Sequence, residues 1–600
     1  MHRALRSHQQ QLAGVVEAIA TGQTELRDIL AAVTPGGGKS LLPVIAAARL
    51  IWAGIVERVC WIVPRDSLRL QAEEAFADPN WRLALDHAVS VRAAENAPDP
   101  CRGLQGWITT YQGVAAAPEL HLAEFRKQKT LLVVDEVHHL PAEADPDAPE
   151  EAAWSRAILP LLEHAAVRLL LSGTLERADG RPILWLPYRR GQGARTREVD
   201  LQAPGFAVIG YSRAQALAEK AVLPVDFGAL DGEAEWLDEE RRRTGPHPVS
   251  GPPEVGRAAL FTALRTGFAQ DLLRRAFAQT RDLRTERRAR LGLPPGETAM
   301  GLGKLLVVAP DQENARRYLD WLREWLPKGQ ADTVARIATS DERDAQEVLA
   351  AFRLRPEPSV LVTVAMAYEG LDAPSVSVCA ALTHIRSRAW LEQMIARATR
   401  VDFAAGPYET QRAVVLHPDD LLFRKFRERI EREQGTLARE KARRRQGELP
   451  GLPEGMEREA PIIPLASNAT AMHWHRLAPG PEFAAARPEH ARPEETAPAE
   501  APSVRERALR SRIGQMVAAQ VLEDEGGLRI PRGAVAHHAY SAALKRVMGK
   551  GRAEMTLAEL ESTIAWLERN RIGDHLHLLE GDPRYGWSVR QRRFDFRTEG

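Results

Sequence analysis

The stretch Ile29-Leu30-Ala31-Ala32-Val33-Thr34-Pro35-Gly36-Gly37-Gly38-Lys39-Ser40 decides the fold. Its first five residues form a continuous apolar run that reads as a strand buried on both faces, as in a parallel sheet covered by helices. A glycine loop follows, and residues 41–52 then carry a helical pattern. Strand, glycine loop, Lys-Ser and helix together suit a triphosphate. Glycines let backbone N–H groups approach phosphate oxygens, and the helix N-terminus adds positive potential. Lys39 can reach the outer phosphates and the Ser40 hydroxyl can bind Mg²⁺. The strict GxxxxGK[ST] pattern fails at its first position, which is Val33.

About a hundred residues downstream, Leu131-Leu132-Val133-Val134 reads as a second buried strand. Asp135-Glu136-Val137-His138-His139 follows at its C-terminal end, where ligands bind in open α/β sheets. One acid there can hold Mg²⁺ and a second can orient and deprotonate an attacking water. The two histidines have no partner pair at metal-ligand spacing, so His138 is expected to hydrogen-bond within the site.

Further apolar runs at 59–63, 167–171, 305–309, 360–364, 376–382 and 413–416 fall into two groups, before about residue 175 and after about residue 300. The fold class expected is α/β, with two parallel-sheet domains in tandem. The expected boundaries are 1–178 for the first domain and 205–430 for the second, the latter with an Arg-rich helical insert near 235–298. Its arginines could form a phosphate-binding surface, or could equally be a solvated helix face, because acids are interleaved. Residues 447–502, rich in Pro, Ala and Glu, read as an extended linker. A small helical domain is expected at 503–600, with Thr556-Leu-Ala-Glu559 as a capping box. That unit should be separable from the rest. His537-His538 reads as structural.

Composition narrows the class. Among 600 residues, 81 are Lys or Arg and 81 Asp or Glu, so net charge gives no hint of a polyanion partner. Three scattered cysteines, Cys60, Cys101 and Cys379, argue against a zinc ribbon or disulfide scaffold and fit a reducing, cytoplasmic setting. No run approaches eighteen uncharged apolar residues, so neither a membrane span nor a secretory signal is expected. No nuclease signature is found.

Taken in order, these segments resemble the superfamily 2 helicases and translocases of the DExH type, over about residues 3–430. Leu5-Arg6-Ser7-His8-Gln9 resembles the adenine-reading Q motif, with Gln9 the matching glutamine. Thr34, Gly36, Gly37, Gly38, Lys39 and Ser40 match motif I. Val63-Pro64-Arg65 and Ile108-Thr109-Thr110 resemble the first two strand-contacting motifs. Asp135–His138 matches motif II, and Ser172-Gly173-Thr174 matches motif III. Leu305–Pro310 resembles motif IV. Val362-Thr363 through Glu369-Gly370-Leu371-Asp372 resembles motif V. Gln393-Met394-Ile395-Ala396-Arg397-Ala398-Thr399-Arg400 resembles motif VI, with Ala396 where glycine is usual.

The resemblance implies two RecA-like domains with ATP and Mg²⁺ in the cleft between them. Lys39, Glu136, Gln393, Arg397 and Arg400 would be catalytic. Gln9, Thr34, the three glycines, Lys39, Ser40, Gly370 and Asp372 would hold the nucleotide, and Ser40 with Asp135 the metal. Pro64, Arg65, Thr109, Thr110 and Thr363 would meet nucleic acid. The function expected is an ATP-dependent helicase or translocase on DNA. An RNA helicase, or an ATPase subunit of a repair or phage-defence assembly with a protein partner at the C-terminal domain, are the alternatives.

Overall fold

The computed structural model describes residues 4–143, 149–173, 175, 177, 181–190, 197–364, 371, 373–433, 462–476, 501–526 and 534–585. The first half carries β1 (Asp28–Val33), β2 (Arg58–Val63), β3 (Val91–Ala93), β4 (Gly106–Thr110), β5 (Thr130–Asp135), β6 (Val167–Ser172), a short hairpin of β7 (Tyr188–Arg190) and β8 (Arg197–Val199), and β9 (Phe206–Tyr211). Seven of these form one parallel sheet in the order β3-β4-β2-β5-β6-β1-β9. The crossovers are largely helical, and the strand interiors are Val, Ile and Leu because both faces are covered. In the order β5-β6-β1, the acid pair and the glycine loop flank Ser172, all at C-terminal strand ends.

The second sheet joins β10 (Val225–Leu237), β11 (Arg243–Pro248), β12 (Lys304–Val308), β13 (Ala335–Ala338), β14 (Val360–Thr363), β15 (Val376–Ala381), β16 (Ala413–Pro418) and β17 (Ile463–Arg476). Its order is β11-β10-β16-β15-β12-β14-β13, with β17 antiparallel to β10. The two-domain α/β class expected from the sequence is the observed one. Among the described residues no helix is long and apolar enough to cross a membrane. The three cysteines are buried thiols.

Several expectations need correction. Residue 205 is not the start of the second domain, because Phe206–Tyr211 pairs with β1 along its full length and closes the first sheet. Phe206-Ala207-Val208-Ile209 is itself a short apolar run, but its half-covered edge position and Gly210 set it apart from the fully buried strands. The expected linker is not all extended chain. Its residues 463–476 form β17, which runs along nearly all of β10. Two glycines of β10 admit it: a Cβ at Gly232 would lie 2.1 Å from Asn468 O, and one at Gly228 would lie 2.8 Å from Met472 Cε. The rest of that linker, 447–462 apart from Ile462 and 477–500, lies outside the described residues, as does Arg443-Arg444-Arg445.

The expected helical insert opens with strands β10 and β11. Its helices, Pro253–Ala263 and Gly267–Arg290, cover the sheet. Phe268, Leu272, Leu273 and Ala276 share a core with Leu305, Val307 and Val360. Two of its arginines are structural. Arg287 is buried and donates to Gly301 O and Ser377 Oγ, and Arg284 donates to Gly303 O and Glu357. Arg274, Arg275 and Arg281 remain exposed.

The C-terminal helices Pro502–Gly526, Ala534–Met548 and Leu557–Leu567 have their own apolar core, including Ile513, Val517, Tyr540, Leu544, Leu560 and Ile564. Thr556 and Glu559 form the expected capping box. The unit is not a free appendage, however. Glu506 is buried against Arg92 and Arg102 of the first domain. A buried ion pair fixes the two parts together, and no apolar pattern would reveal it.

Candidate functional site

The glycine loop is bent by two left-handed residues, Gly36 (φ 83°) and Gly38 (φ 92°). Between them, a Cβ at Gly37 would lie 2.8 Å from Thr34 O and 2.9 Å from Val33 Cγ1. A side chain there would force the loop open. Val33, the departure from the strict pattern, packs into this close approach. Lys39–Leu41 is a single 3₁₀ turn that leads into the helix Leu42–Trp52, and Ser40 is exposed on it.

The N-terminal helix Ser7–Ala20 props the loop from behind. The Gln9 amide donates to Gly38 O at 3.3 Å, and the Arg6 guanidinium donates to Gly37 O at 2.6 Å. Gln9 Oε1 also accepts from the Arg6 backbone N–H, which fixes the Gln9 amide. His8 stacks on Tyr211, ring centroids 4.0 Å apart. Burial, then the Arg6 charge, lowers His8 to about 4, so it stacks as a neutral ring. Tyr211 donates from its hydroxyl to Glu219, which also accepts from Ser7 N. Arg6, Tyr211 and Glu219 are not among the residues expected to form the site. Arg6 sits inside the quoted Leu5–Gln9 segment, whereas nothing in the sequence marks Tyr211 or Glu219.

Facing the loop are the acids at the end of β5. Lys39 Nζ lies 2.8 Å from Asp135 Oδ1 and is ion-paired with Glu136. Glu136 adopts the left-handed region (φ 54°), which turns the chain sharply at the strand end and aims its carboxylate into the site. Gly173 N donates to its Oε2 at 3.2 Å, and Tyr111 holds the backbone from below by donating to Asp135 O and Glu136 O. His138 shares a hydrogen bond of 3.0 Å with Ser172 Oγ and lies 3.4 Å from Glu136 Oε2. It thus hydrogen-bonds within the site.

The charges are set by proximity. Burial alone would lower the Lys39 amine, but the two carboxylates more than offset it and hold it above its ordinary range. Burial pushes the Asp135 carboxyl up, and it stays raised despite Lys39. Burial acts the same way on Glu136, yet Lys39 and then His138 outweigh it and hold that carboxyl at about 2. Burial lowers His138 to about 3, so it is a neutral imidazole.

The second domain reaches the same place. In the helix Arg388–Ala398, the Gln393 amide donates to Glu136 Oε1 at 3.2 Å. Arg397, four residues on, is buried and donates to Leu371 O at 2.9 Å. Arg400 lies in a β-bridge with Val222, and burial lowers it to about 10. A Cβ at Gly36 would lie 3.3 Å from Val222 and 4.0 Å from Thr399. Beside the loop, between the domains, a cavity of about 560 Å³ is lined by Thr34, Pro35, Gly173, Ser212, Arg388 and Glu392 among others. The helix carrying Gln393 and Arg397 thus lies across the glycine loop and the acids.

The residues expected to meet nucleic acid sit at C-terminal strand ends but are not equally available. Arg65 is exposed and starts the helix Asp66–Ala77, while Pro64 is buried. Thr110 caps the helix Tyr111–Ala116, accepting from Gly113 N at 2.9 Å. Thr109 is buried, and Thr363 is buried with its hydroxyl donated to Ala338 O. Gly370, Asp372 and Thr174 lie outside the described residues.

Two α/β sheets, the first parallel and the second largely so, thus place a glycine loop and paired acids at the strand ends of one beneath a Gln/Arg helix from the other. Residues 2–177 match the family described as "Type III restriction enzyme, res subunit". An uncharacterized protein of Mycobacterium leprae is 29% identical over 380 residues, which are 62% of this chain and 56% of that protein. One of Mycobacterium tuberculosis is 29% identical over 383 residues, 63% and 56% respectively. The chain thus spans about half the length of the curated relatives it matches.

Among solved structures, similarity extends to the DUF1998 helicase MrfA bound to DNA, at 12% identity and TM-score 0.42, over 71% of this chain and 48% of that one. It extends also to the DEAD-box helicase Mss116 bound to ssRNA and UDP-BeF, at 13% identity and TM-score 0.41, over 98% and 92%.

Proposed function

We propose that this protein is an ATP-dependent DNA helicase or translocase, with nucleotide bound between the two sheets. The reading rests above all on one observation: Lys39, Asp135 and Glu136 of the first domain and Gln393 of the second converge on one point. Lys39 is placed to pair with the outer phosphates, and the glycine-loop N–H groups to line them. Glu136, held ionised, is the base for the attacking water, oriented by Gln393 and Gly173 N. Arg397 and Arg400 neutralise charge that develops on the transferred phosphoryl group, so hydrolysis requires the domains to meet.

A divalent cation fits the donors present. Asp135 and Ser40 offer hard oxygens, and Mg²⁺ needs only one or two carboxylates when phosphate oxygens and water complete its shell. Held by Asp135 and Ser40, such a cation would supply Lewis-acid stabilisation of negative charge on phosphoryl oxygens. Lys39 pairs with both acids, which places its amine beside the proposed metal ligand and the proposed base. Arg65 and the segment around Thr110 supply backbone-directed contacts, which suit a motor that must not depend on sequence.

The domain limits we propose are 1–222 and 223–433, with 501–585 docked on the first. The test is the ATPase rate with no polymer, single-stranded DNA, duplex DNA and RNA. DNA stimulation supports the reading. RNA-only stimulation would favour an RNA helicase, and a flat response an ATPase subunit of a larger assembly, the second reading that the restriction-subunit match favours.

A further inference from the structure

We propose that the C-terminal helical unit positions the nucleic-acid-facing edge of the first domain, with Glu506 as the positioning residue; this rests on the motor reading above. The observations begin at a buried carboxylate. Glu506, in the first turns of the helix Pro502–Gly526, is 2% exposed, and four lines of contact converge on it. Arg92 binds it bidentately at 2.8 and 2.8 Å, Arg102 reaches it at 3.3 Å, and Arg510 of its own helix at 2.9 Å. Arg92 and Arg102 are themselves 2% and 4% exposed. Planar forks on one carboxylate give direction as well as energy.

Those two arginines bracket the segment 93–101, and that segment is tied to the strand-end residues. Ala94 N donates to Ile108 O, and the Asn96 amide donates to Gly113 O at 2.8 Å. Gly113 N in turn donates to Thr110 Oγ1. Arg69, from the helix that follows Arg65, donates to Ala94 O. On that same helix, buried Glu73 accepts from Ala93 N and from both the backbone N–H and the hydroxyl of Ser503, one turn ahead of Glu506. The C-terminal helix therefore grips the Arg65 helix directly, through Glu73, and reaches the Thr110 turn through the segment between Arg92 and Arg102. The contacts of the C-terminal unit with the first domain, at Glu73, Arg92, Arg102 and Gly103, lie apart from the glycine loop and the acid pair in sequence. A second contact, Thr556 against Gly103, extends the dock.

An appendage that merely filled space would not need three guanidinium groups on one carboxylate beneath these two elements. The arrangement sets their relative placement, so its loss should be read in polymer engagement and not in basal hydrolysis.

The experiment uses the full chain with Glu506→Gln and, as a milder variant, Ser503→Ala, beside wild type. Polymer-stimulated ATPase is titrated with the preferred nucleic acid, and hydrogen exchange is followed at 94–113. The polymer concentration for half-maximal stimulation should rise about three- to ten-fold, the range carried by packed networks, with the basal rate unchanged. Exchange protection at 94–113 should fall in both variants. Unchanged half-maximal concentration and unchanged protection overturn the proposal, and so does a loss confined to the basal rate or to thermal stability. If Glu506→Gln does not fold, Ser503→Ala alone decides by the same readings. A wild-type protein that no polymer stimulates overturns the motor reading and this proposal together. A stimulated wild type with unaffected variants overturns this proposal alone.

Discussion

Replacing Lys39 with Ala should lower stability as well as the proposed hydrolysis. Lys39 lies between two carboxylates that are 12% and 13% exposed, and is itself 19% exposed. Its removal leaves Asp135 and Glu136 adjacent, like-charged and largely desolvated. Removing one partner of a buried ion pair costs about 3–5 kcal/mol, and partial exposure places this site near the lower end, about 3 kcal/mol. For a domain of this size each kcal/mol moves the midpoint by about 2–4 °C, so the first domain should melt roughly 6–12 °C lower at pH 7.

The pH dependence follows from the sign of the shift. In wild type Glu136 is held at about 2, so its stabilising share is present above the ordinary carboxylate range and fades as pH falls. In Lys39→Ala the same carboxyl loses its cation and rises above that range, so acid relieves the variant by protonating it. The gap between the two proteins should therefore narrow from pH 7 to pH 5. Differential scanning calorimetry across that interval reads it directly. A gap that is absent at pH 7, or that widens toward pH 5, would refute the assignment of Lys39 as the counter-ion of these acids. ATP hydrolysis should be lost in the same variant.

Three further outcomes follow. Glu136→Gln should keep ATP affinity near wild type and lose turnover, since it removes water activation and leaves Lys39 and the loop in place; titration calorimetry and steady-state kinetics separate the two. Buried His8 and His121, each lowered to about 4, and His417, lowered to about 3, must charge on unfolding below their ordinary range. Stability should therefore be flat above pH 6.5 and fall below it, each ring adding a slope of up to about 1.4 kcal/mol per pH unit, which thermal melts in matched buffers would show. A chain ending at Arg476, which keeps β17, leaves Arg92 and Arg102 without Glu506, so the first domain should melt lower than in the full chain, and addition of the excised helices should restore part of the loss.

The motor core was legible because its chemistry is local. The run 29–40 encodes strand, loop and helix start within twelve residues, and Asp135-Glu136 ends an unbroken apolar strand. Periodicity shows elements whose faces are fully buried. It does not mark β9, a half-covered edge, or β17, whose Ile463-Pro464-Leu465 start sits in Pro-rich surroundings and which pairs along a strand more than two hundred residues away, close against two of its glycines. The arginines of Gly267–Arg290 looked like a charged surface because sequence does not tell a solvated guanidinium from one capping buried carbonyls, as Arg287 does. The dock at Glu506 was invisible for the same reason. Its partners lie more than four hundred residues away, and one acid among many carries no mark.

The central claim is that hydrolysis is completed by the second domain. It is tested most directly by single-turnover ATP hydrolysis, at saturating nucleotide and polymer, in Arg397→Ala and Arg400→Ala beside wild type. An arginine that neutralises the phosphoryl transition state is worth about 10³–10⁵ in rate, so the chemical step should slow by at least about a thousand-fold in one or both variants while bound ATP is retained. Wild-type hydrolysis rates in both would contradict the account, since the first domain alone would then suffice.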